Sequence, residues 1–410
     1  MKKASKILKN QKSYAVLIAV FLGFVPLLYG MSTGMLIVLL AASLVSLRYH
    51  KPEFKKAYLA PILFYVLMAV SLLWTDAIED SSRGLERQMA LVLIPLAFIF
   101  MPDITEKTRN LILYWFALTM AVFGIFFMSV AFVDYLQNGQ ISTFFYHSLV
   151  VPLDLNAIYI SVFVSLCILF LLFKRKKTRT TIMTLVVLSV FLLLLASKSI
   201  IVATGLLGVF GIFRTFRRAS ILKLIPILAV GLGLLVFTSN PVKQRFVREI
   251  TASNVKEVFE SERFNKVYDW TGTTLRLFQA RIFFEMLEED AIFLTGYGIN
   301  NSKEKIIEKQ KQYNLWQGYY TYNFHNQYIQ AFAELGIFGL LFLFLLLGVI
   351  LRQFILGKDI LFLSLFFIMF VVFMTESYLW RQRGLYHFLL LYCLLFKSIP
   401  PRKVLTTNET

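Results

Sequence analysis

Charge is scarce in this chain. Of 410 residues only 16% are Asp, Glu, Lys or Arg, with 24 acidic residues and four histidines among them and their neighbours. Ordinary soluble domains carry about 25% charged residues, so this shortage excludes one. There are two cysteines, Cys167 and Cys393, both inside apolar runs. That excludes a disulfide framework and a cysteine-based metal site, and leaves them as packing residues. No P-loop, serine-nucleophile elbow or zinc-ligand spacing occurs. No period of 20–50 residues repeats, which excludes a solenoid or propeller.

What is abundant is apolar. Hydrophobic residues make up 58% of the chain and the mean hydropathy is +0.68. They gather into runs at about 13–30, 31–47, 57–74, 88–101, 110–133, 156–173, 180–196, 199–213, 220–238, 335–351, 360–376 and 384–397. Runs of this kind approach the length of a membrane-crossing helix, about 20 residues. The sequence therefore predicts an all-α, polytopic integral membrane protein of about twelve transmembrane helices. Residues 1–238 form spans one to nine, 239–334 a large, partly helical extracytoplasmic loop, and 335–410 spans ten to twelve with a tail. Met1–Lys12 is basic and lacks a small-residue cleavage site, so it reads as the flank of a first span rather than a removable signal peptide.

The net charge of +18 belongs to topology. Nucleic acid is not the expected partner; membrane lipids are. With both termini cytoplasmic, the inner face collects Lys2, Lys3, Lys6, Lys9 and Lys12, then Arg48, Lys51, Lys55 and Lys56. Lys174–Lys177, Arg179, Arg214, Arg217, Arg218, Lys397, Arg402 and Lys403 complete that face. The short outer loops hold few basic residues: Arg83, Arg87, Lys198, Arg381 and Arg383. That is the asymmetry the positive-inside rule expects, and it puts the long loop outside.

Ionisable residues within the runs are confined to Lys223, Glu376 and His387, which argues against an ion-coupled carrier. Chemistry is expected at the outer face. The residues entering span ten read Phe324-His325-Asn326-Gln327-Tyr328-Ile329, then Ala333-Glu334-Leu335-Gly336-Ile337-Phe338-Gly339-Leu340. Upstream stand Thr274-Leu275-Arg276, Gly296-Tyr297-Gly298-Ile299-Asn300 and Leu73-Trp74; downstream stand Glu376-Ser377 and Arg383-Gly384. This set, spread around a long outer loop, resembles the O-antigen ligase family of bacterial polysaccharide glycosyltransferases.

The resemblance implies transfer of a polysaccharide from an undecaprenyl-diphosphate carrier to an acceptor, a lipid A-core sugar or another repeat unit, without metal or cofactor. A repeat-unit polymerase is the nearest alternative, and a polysaccharide exporter or flippase a more distant one. The reaction needs a base near neutrality and cations on the leaving diphosphate. His325 is the expected base. Arg276, with no acidic residue three or four positions away, is expected to present a free guanidinium to the diphosphate. Lys198, in Ser197-Lys198-Ser199, stands where the family usually has arginine. Arg281, Asn326 and Tyr328 are further expected ligands of diphosphate or sugar, although Arg281 lies four residues before Glu285 and also reads as half of a helical ion pair. Trp316, Tyr319, Tyr320, Tyr322 and Phe324 suit either sugar stacking or an interfacial aromatic belt. His147, His325 and His387 have no metal-ligand spacing. Gly205, Gly208 and Gly211 read as helix-packing positions.

Overall fold

A computed structural model describes residues 10–27, 29–215 and 247–400. The ninth apolar run, 220–238, lies outside the described residues, as do Lys2, Lys3, Lys6, Lys9, Arg217, Arg218, Lys223, Arg402 and Lys403. Among the described residues the chain is helical, with no strand.

The first half contains α1 (Gln11–Phe24), α2 (Tyr29–Ser46), α3 (Leu59–Val70), α4 (Ile78–Arg87), α5 (Ala90–Phe100) and α6 (Glu106–Asn138). Then come α7 (Tyr146–Val150), α8 (Ala157–Phe173), α9 (Arg179–Leu194) and α10 (Lys198–Thr215). The long loop holds α11 (Val255–Glu260), α12 (Gly272–Glu289) and α13 (Lys303–Gln312), and α14 (Gln327–Gly357), α15 (Ile360–Phe373) and α16 (Gln382–Lys397) follow. Each of the eleven described apolar runs thus coincides with a helix.

Among the described residues, four helical stretches are long and apolar enough to cross a membrane: Tyr29–Ser46, Lys56–Leu73, Glu106–Asn138 and Gln327–Gly357. Tyr146–Leu153 and Ala157–Phe173, bent by 93°, add a fifth if they count as one span. The other apolar helices are shorter. The 14 residues of α1 rise about 21 Å at 1.5 Å each, against a hydrocarbon layer of about 30 Å.

Caps close the helices where the sequence supplies short polar side chains. Asn10, Thr105, Asn156, Thr178 and Asp359 each accept a first-turn N–H of the helix that follows. Such bonds matter most where no water competes. α16 lies at the centre of the bundle, and every residue from Gly384 to Lys397 is buried. Cys167 and Cys393 are buried and unpaired in the same core. Gly211 sits against the Phe173 ring, as a helix-packing glycine does, while Gly205 faces open space.

Polar contacts tie the helices together near their ends. At one end Lys397 bridges Glu53 and Asp103, each at 3.2 Å. There Arg109 also meets Asp359 at 2.7 Å. At the other end Trp74 donates to Thr295 O at 3.1 Å and Asn300 to Asp80 O at 3.0 Å. Residues expected inside contact one another, and residues expected outside do likewise.

The long loop has its own core: Val258, Phe264, Phe278, Ile282, Met286 and Tyr313 pack with Phe332 and Ala333 of α14. The loop is partly helical, as expected, with Val255–Glu260 and Lys303–Gln312 forming α11 and α13. The 18-residue α12 is the larger element between them. α14 begins at Gln327, so the last eight residues assigned to the loop are already helix.

Candidate active site

Three of the motif pieces meet at one end of the bundle, and glycine explains why. In α14 Gly336 has φ 63° and ψ −161°, breaking the helix. The freed Ile337 N–H donates to Phe293 O at 2.8 Å. Opposite, Tyr297 N–H donates to Ala333 O and Gly298 N–H to Glu334 O, both at 2.9 Å. A Cβ on Gly336 would lie 2.1 Å from Leu294 O, and one on Gly296 2.3 Å from the Glu334 carbonyl carbon. Only glycine permits backbones so close. Glu334 completes this clasp. One carboxylate oxygen accepts Asn300 N–H at 2.5 Å and Trp380 Nε1–H at 2.9 Å; the other accepts Ser302 Oγ at 3.2 Å and Gln330 Nε2 at 2.5 Å. The Gly-Tyr-Gly and Glu-Leu-Gly motifs therefore build scaffold.

Just before α14, His325 stands at φ 47°, a left-handed conformation uncommon for a residue with a side chain. Asn323 holds this turn by accepting the His325 N–H at 2.9 Å. The turn aims the imidazole at Glu376, three residues past the end of α15. Nδ1 lies 3.2 Å from one oxygen of Glu376. The other oxygen accepts from Arg276 Nη2 at 3.2 Å. Glu376 is 5% exposed. Burial alone would raise its pKa, but the hydrogen bond from His325 and the charges of His325 and Arg276 hold it below the ordinary 4.5. An ionised carboxylate can only accept, so in the neutral imidazole the proton sits on Nδ1 and Nε2 bears the lone pair. Nε2 is buried without a hydrogen-bond partner.

Here one expectation is corrected. Arg276 is not free: Nε donates to Thr375 O at 2.8 Å, Nη1 to Gly272 O at 2.9 Å, and Nη2 to Glu376. Its partner is a hundred residues away, invisible to a search of neighbouring helical positions. Three of the five guanidinium hydrogens are thereby committed, and two remain.

Lys198, at the start of α10, pairs with Glu249. Glu249 also accepts Thr273 N–H at 2.5 Å. Burial would raise the Glu249 pKa, but the Lys198 and Thr273 hydrogen bonds and the lysine charge lower it. A Cβ at Gly272 would lie 3.0 Å from Arg276 Nη1 and 3.5 Å from Glu249, so the two cations flank the first turn of α12. Arg276, Glu376 and His325 form one polar chain, and the Lys198–Glu249 pair stands beside its arginine end, across Gly272.

The remaining expected ligands are occupied elsewhere. Arg281 pairs with Glu285 at 3.0 Å, donates to Val258 O, Ser261 O and Tyr313 Oη at 2.8, 2.7 and 2.9 Å, and lies 4.5 Å from the Tyr313 ring centroid. It is a strut of the loop core, as its helical pairing indicated, with four of its five guanidinium hydrogens already committed. Asn326 caps α14, accepting Tyr328 N–H at 2.9 Å and Ile329 N–H at 3.1 Å. Tyr328 donates to Phe370 O at 3.1 Å and packs among Phe344, Phe370 and Phe373. Both residues fix the approach to His325 rather than face a ligand.

The aromatic stretch is ordered as a ladder. Ring centroids run from Trp316 to Tyr319 at 5.9 Å, to Tyr322 at 5.4 Å and to His325 at 5.0 Å, each edge-on. His387 is buried between Phe116 and Phe163 and bonds Tyr378 at 3.1 Å, and Ala157 N–H donates to His147 at 3.3 Å. Among the described residues no three His, Cys, Asp or Glu side chains converge as metal ligands would. Sequence reasoning missed the hub role of Glu376 and all of Glu249; the only signal for the first was its place in a short outer turn.

No curated protein matches this chain. Residues 183–344, the stretch that carries Lys198, Glu249, Arg276, His325 and the glycine clasp, match the family described as O-Antigen ligase, the family that the motifs resemble.

Proposed function

We propose that this protein ligates a polysaccharide, carried on undecaprenyl diphosphate, to the hydroxyl of a lipid A-core acceptor at the outer face of the bacterial inner membrane. The family match implies a membrane glycosyltransferase of the ligase or polymerase type. About twelve spans with both termini cytoplasmic belong to the same proposal, supported by the contacts of expected inner residues with one another and of expected outer residues with one another.

One observation carries the mechanism: a histidine oriented by an ionised carboxylate that also anchors an arginine. The acceptor hydroxyl has a pKa far above 7 and must lose its proton as its oxygen attacks the anomeric carbon. His325 Nε2 takes that proton. The new glycosidic C–O bond forms while the bond from carbon to diphosphate oxygen breaks, and the electron pair leaves with the diphosphate. Arg276 offers its two uncommitted N–H groups to the growing charge, and Lys198 lies along the same turn of α12. Glu376 stabilises the imidazolium that results.

The test is a gene deletion complemented with wild type or His325→Ala, read by gel analysis of surface polysaccharide. Loss of long chains from the lipid anchor, with carrier-linked chains retained, is expected for a ligase. Accumulation of single repeat units would identify a polymerase instead. His325→Ala should behave as the deletion while inserting normally, because general-base contributions are about 10²–10⁴-fold. Near-normal transfer by that variant would refute the assignment of the base.

A further inference from the structure

We propose that a pocket beside the candidate base holds an anionic sugar of the acceptor glycan; the word acceptor rests on the glycosyl-transfer reading above. The pocket has a volume of about 160 Å³, room for about five water molecules at about 30 Å³ each. That suits one sugar residue or its charged substituent, not a whole glycan. Its wall includes Arg87, Lys303, Arg381, Tyr322, Trp380 and Glu334.

The three cations come from separate elements: Arg87 ends α4, Lys303 begins α13 and Arg381 precedes α16. All three are exposed. None has a carboxylate partner among the described residues; Arg87 donates only to Arg83 O at 3.2 Å. Neighbouring cations are neutralised, as Arg83 is by Glu79 and Asp80 and Lys305 by Asp290 and Glu308. The single carboxylate in the wall, Glu334, already accepts four hydrogen bonds. The cavity is thus a concave site of unbalanced positive charge, where the potential is focused. Two guanidinium forks suit a phosphate or carboxylate group, and the Tyr322 and Trp380 rings suit the apolar face of a sugar.

The pocket reaches the base by its own route. Tyr322 lines it and stands 5.0 Å from the His325 ring, whereas Arg276 and Lys198 approach through Glu376 and Glu249. Two groups of cations, one reaching His325 through Glu376 and the other sharing a pocket with its neighbour Tyr322, fit two substrates, a diphosphate donor and a charged acceptor.

The experiment is saturation-transfer NMR on the full chain in nanodiscs of zwitterionic lipid, with glucose 6-phosphate, glucuronate, glucose and inorganic phosphate as probes. Both charged sugars should bind at least about tenfold more tightly than glucose, the scale of one charge-assisted hydrogen bond. R87Q/K303Q/R381Q should erase that margin, and Arg381→Gln alone, at an exposed position, should reduce it. His325→Ala should keep it, so failure of the transfer reading and failure of the pocket are separable. Equal binding of glucose, or an unchanged margin in the triple variant, overturns the proposal. Phosphate binding as tightly as glucose 6-phosphate overturns it too, by identifying a phosphate site, of free ion or lipid headgroup, with no part for a sugar.

Discussion

Glu376 decides the state of both neighbours it touches. Its carboxylate fixes the tautomer of His325 and holds Nη2 of Arg276, so Glu376→Gln should lower transfer steeply; removing the charge behind a histidine base costs up to about 10⁴-fold in a serine protease. The same carboxylate titrates below its ordinary 4.5. A depressed value means its stabilising contribution is complete at neutral pH and is lost as pH falls through the lowered value. Melting temperature in detergent should therefore drop on acidification below 4.5, and less so in Glu376→Gln. A pH dependence unchanged by the substitution would show that the ion pairs contribute nothing to stability. At Lys198 the salt bridge to Glu249 requires charge rather than lysine. Lys198→Arg is expected to retain transfer within about threefold, since a guanidinium pairs with a carboxylate at least as well and adds a fork for phosphate. A collapse of activity in that variant would mean that the compact ammonium is needed.

At the level of elements, the break in α14 and the cap behind it control where His325 stands. Gly336→Ala would put a methyl 2.1 Å from Leu294 O at a positive φ, and should destabilise by at least about 2 kcal/mol. Gly34→Ala is the matched control: it lies within α2 with nothing within 4 Å, and should leave stability unchanged or raise it by up to about 1 kcal/mol. Thermal unfolding of the two purified variants gives the comparison directly. If Gly336→Ala melts with wild type, the clasp between the glycine motifs is not holding α14 to the loop. The clasp also explains how sequence and site are related here. The Gly-Tyr-Gly and Glu-Leu-Gly motifs were legible as patterns, yet their work is backbone contact across about 40 residues, which no local reading of a motif displays.

For the molecule as a whole, the proposed reaction draws its energy from the sugar–diphosphate bond of the donor. Three carboxylates of the long loop are already paired: Asp269 with Arg248, Glu285 with Arg281, Lys309 and Tyr313, and Glu334 with its four donors. Purified protein in liposomes, given lipid-diphosphate-linked glycan and acceptor, is expected to work with a chelator present and no nucleotide. Activity abolished by chelation and restored by magnesium or manganese would replace the cation-only mechanism with a metal-assisted one.

Composition and periodicity determined the helical class, eleven of the apolar helices and the location of His325 at the mouth of a helix. These are properties of single segments, governed by burial in lipid and by local capping, and each segment carries its own signal. The tertiary structure alone decided that α16 is the central helix, since all the apolar runs look alike until neighbours cover them. It also decided that Arg276 answers to Glu376, that Arg281 is a strut, and that Arg87, Lys303 and Arg381 share one pocket. Each of these is a pairing between residues roughly a hundred or more positions apart, or a commitment of donors to backbone carbonyls, and charge complementarity at such range depends on how the helices are arranged in space rather than on their order along the chain.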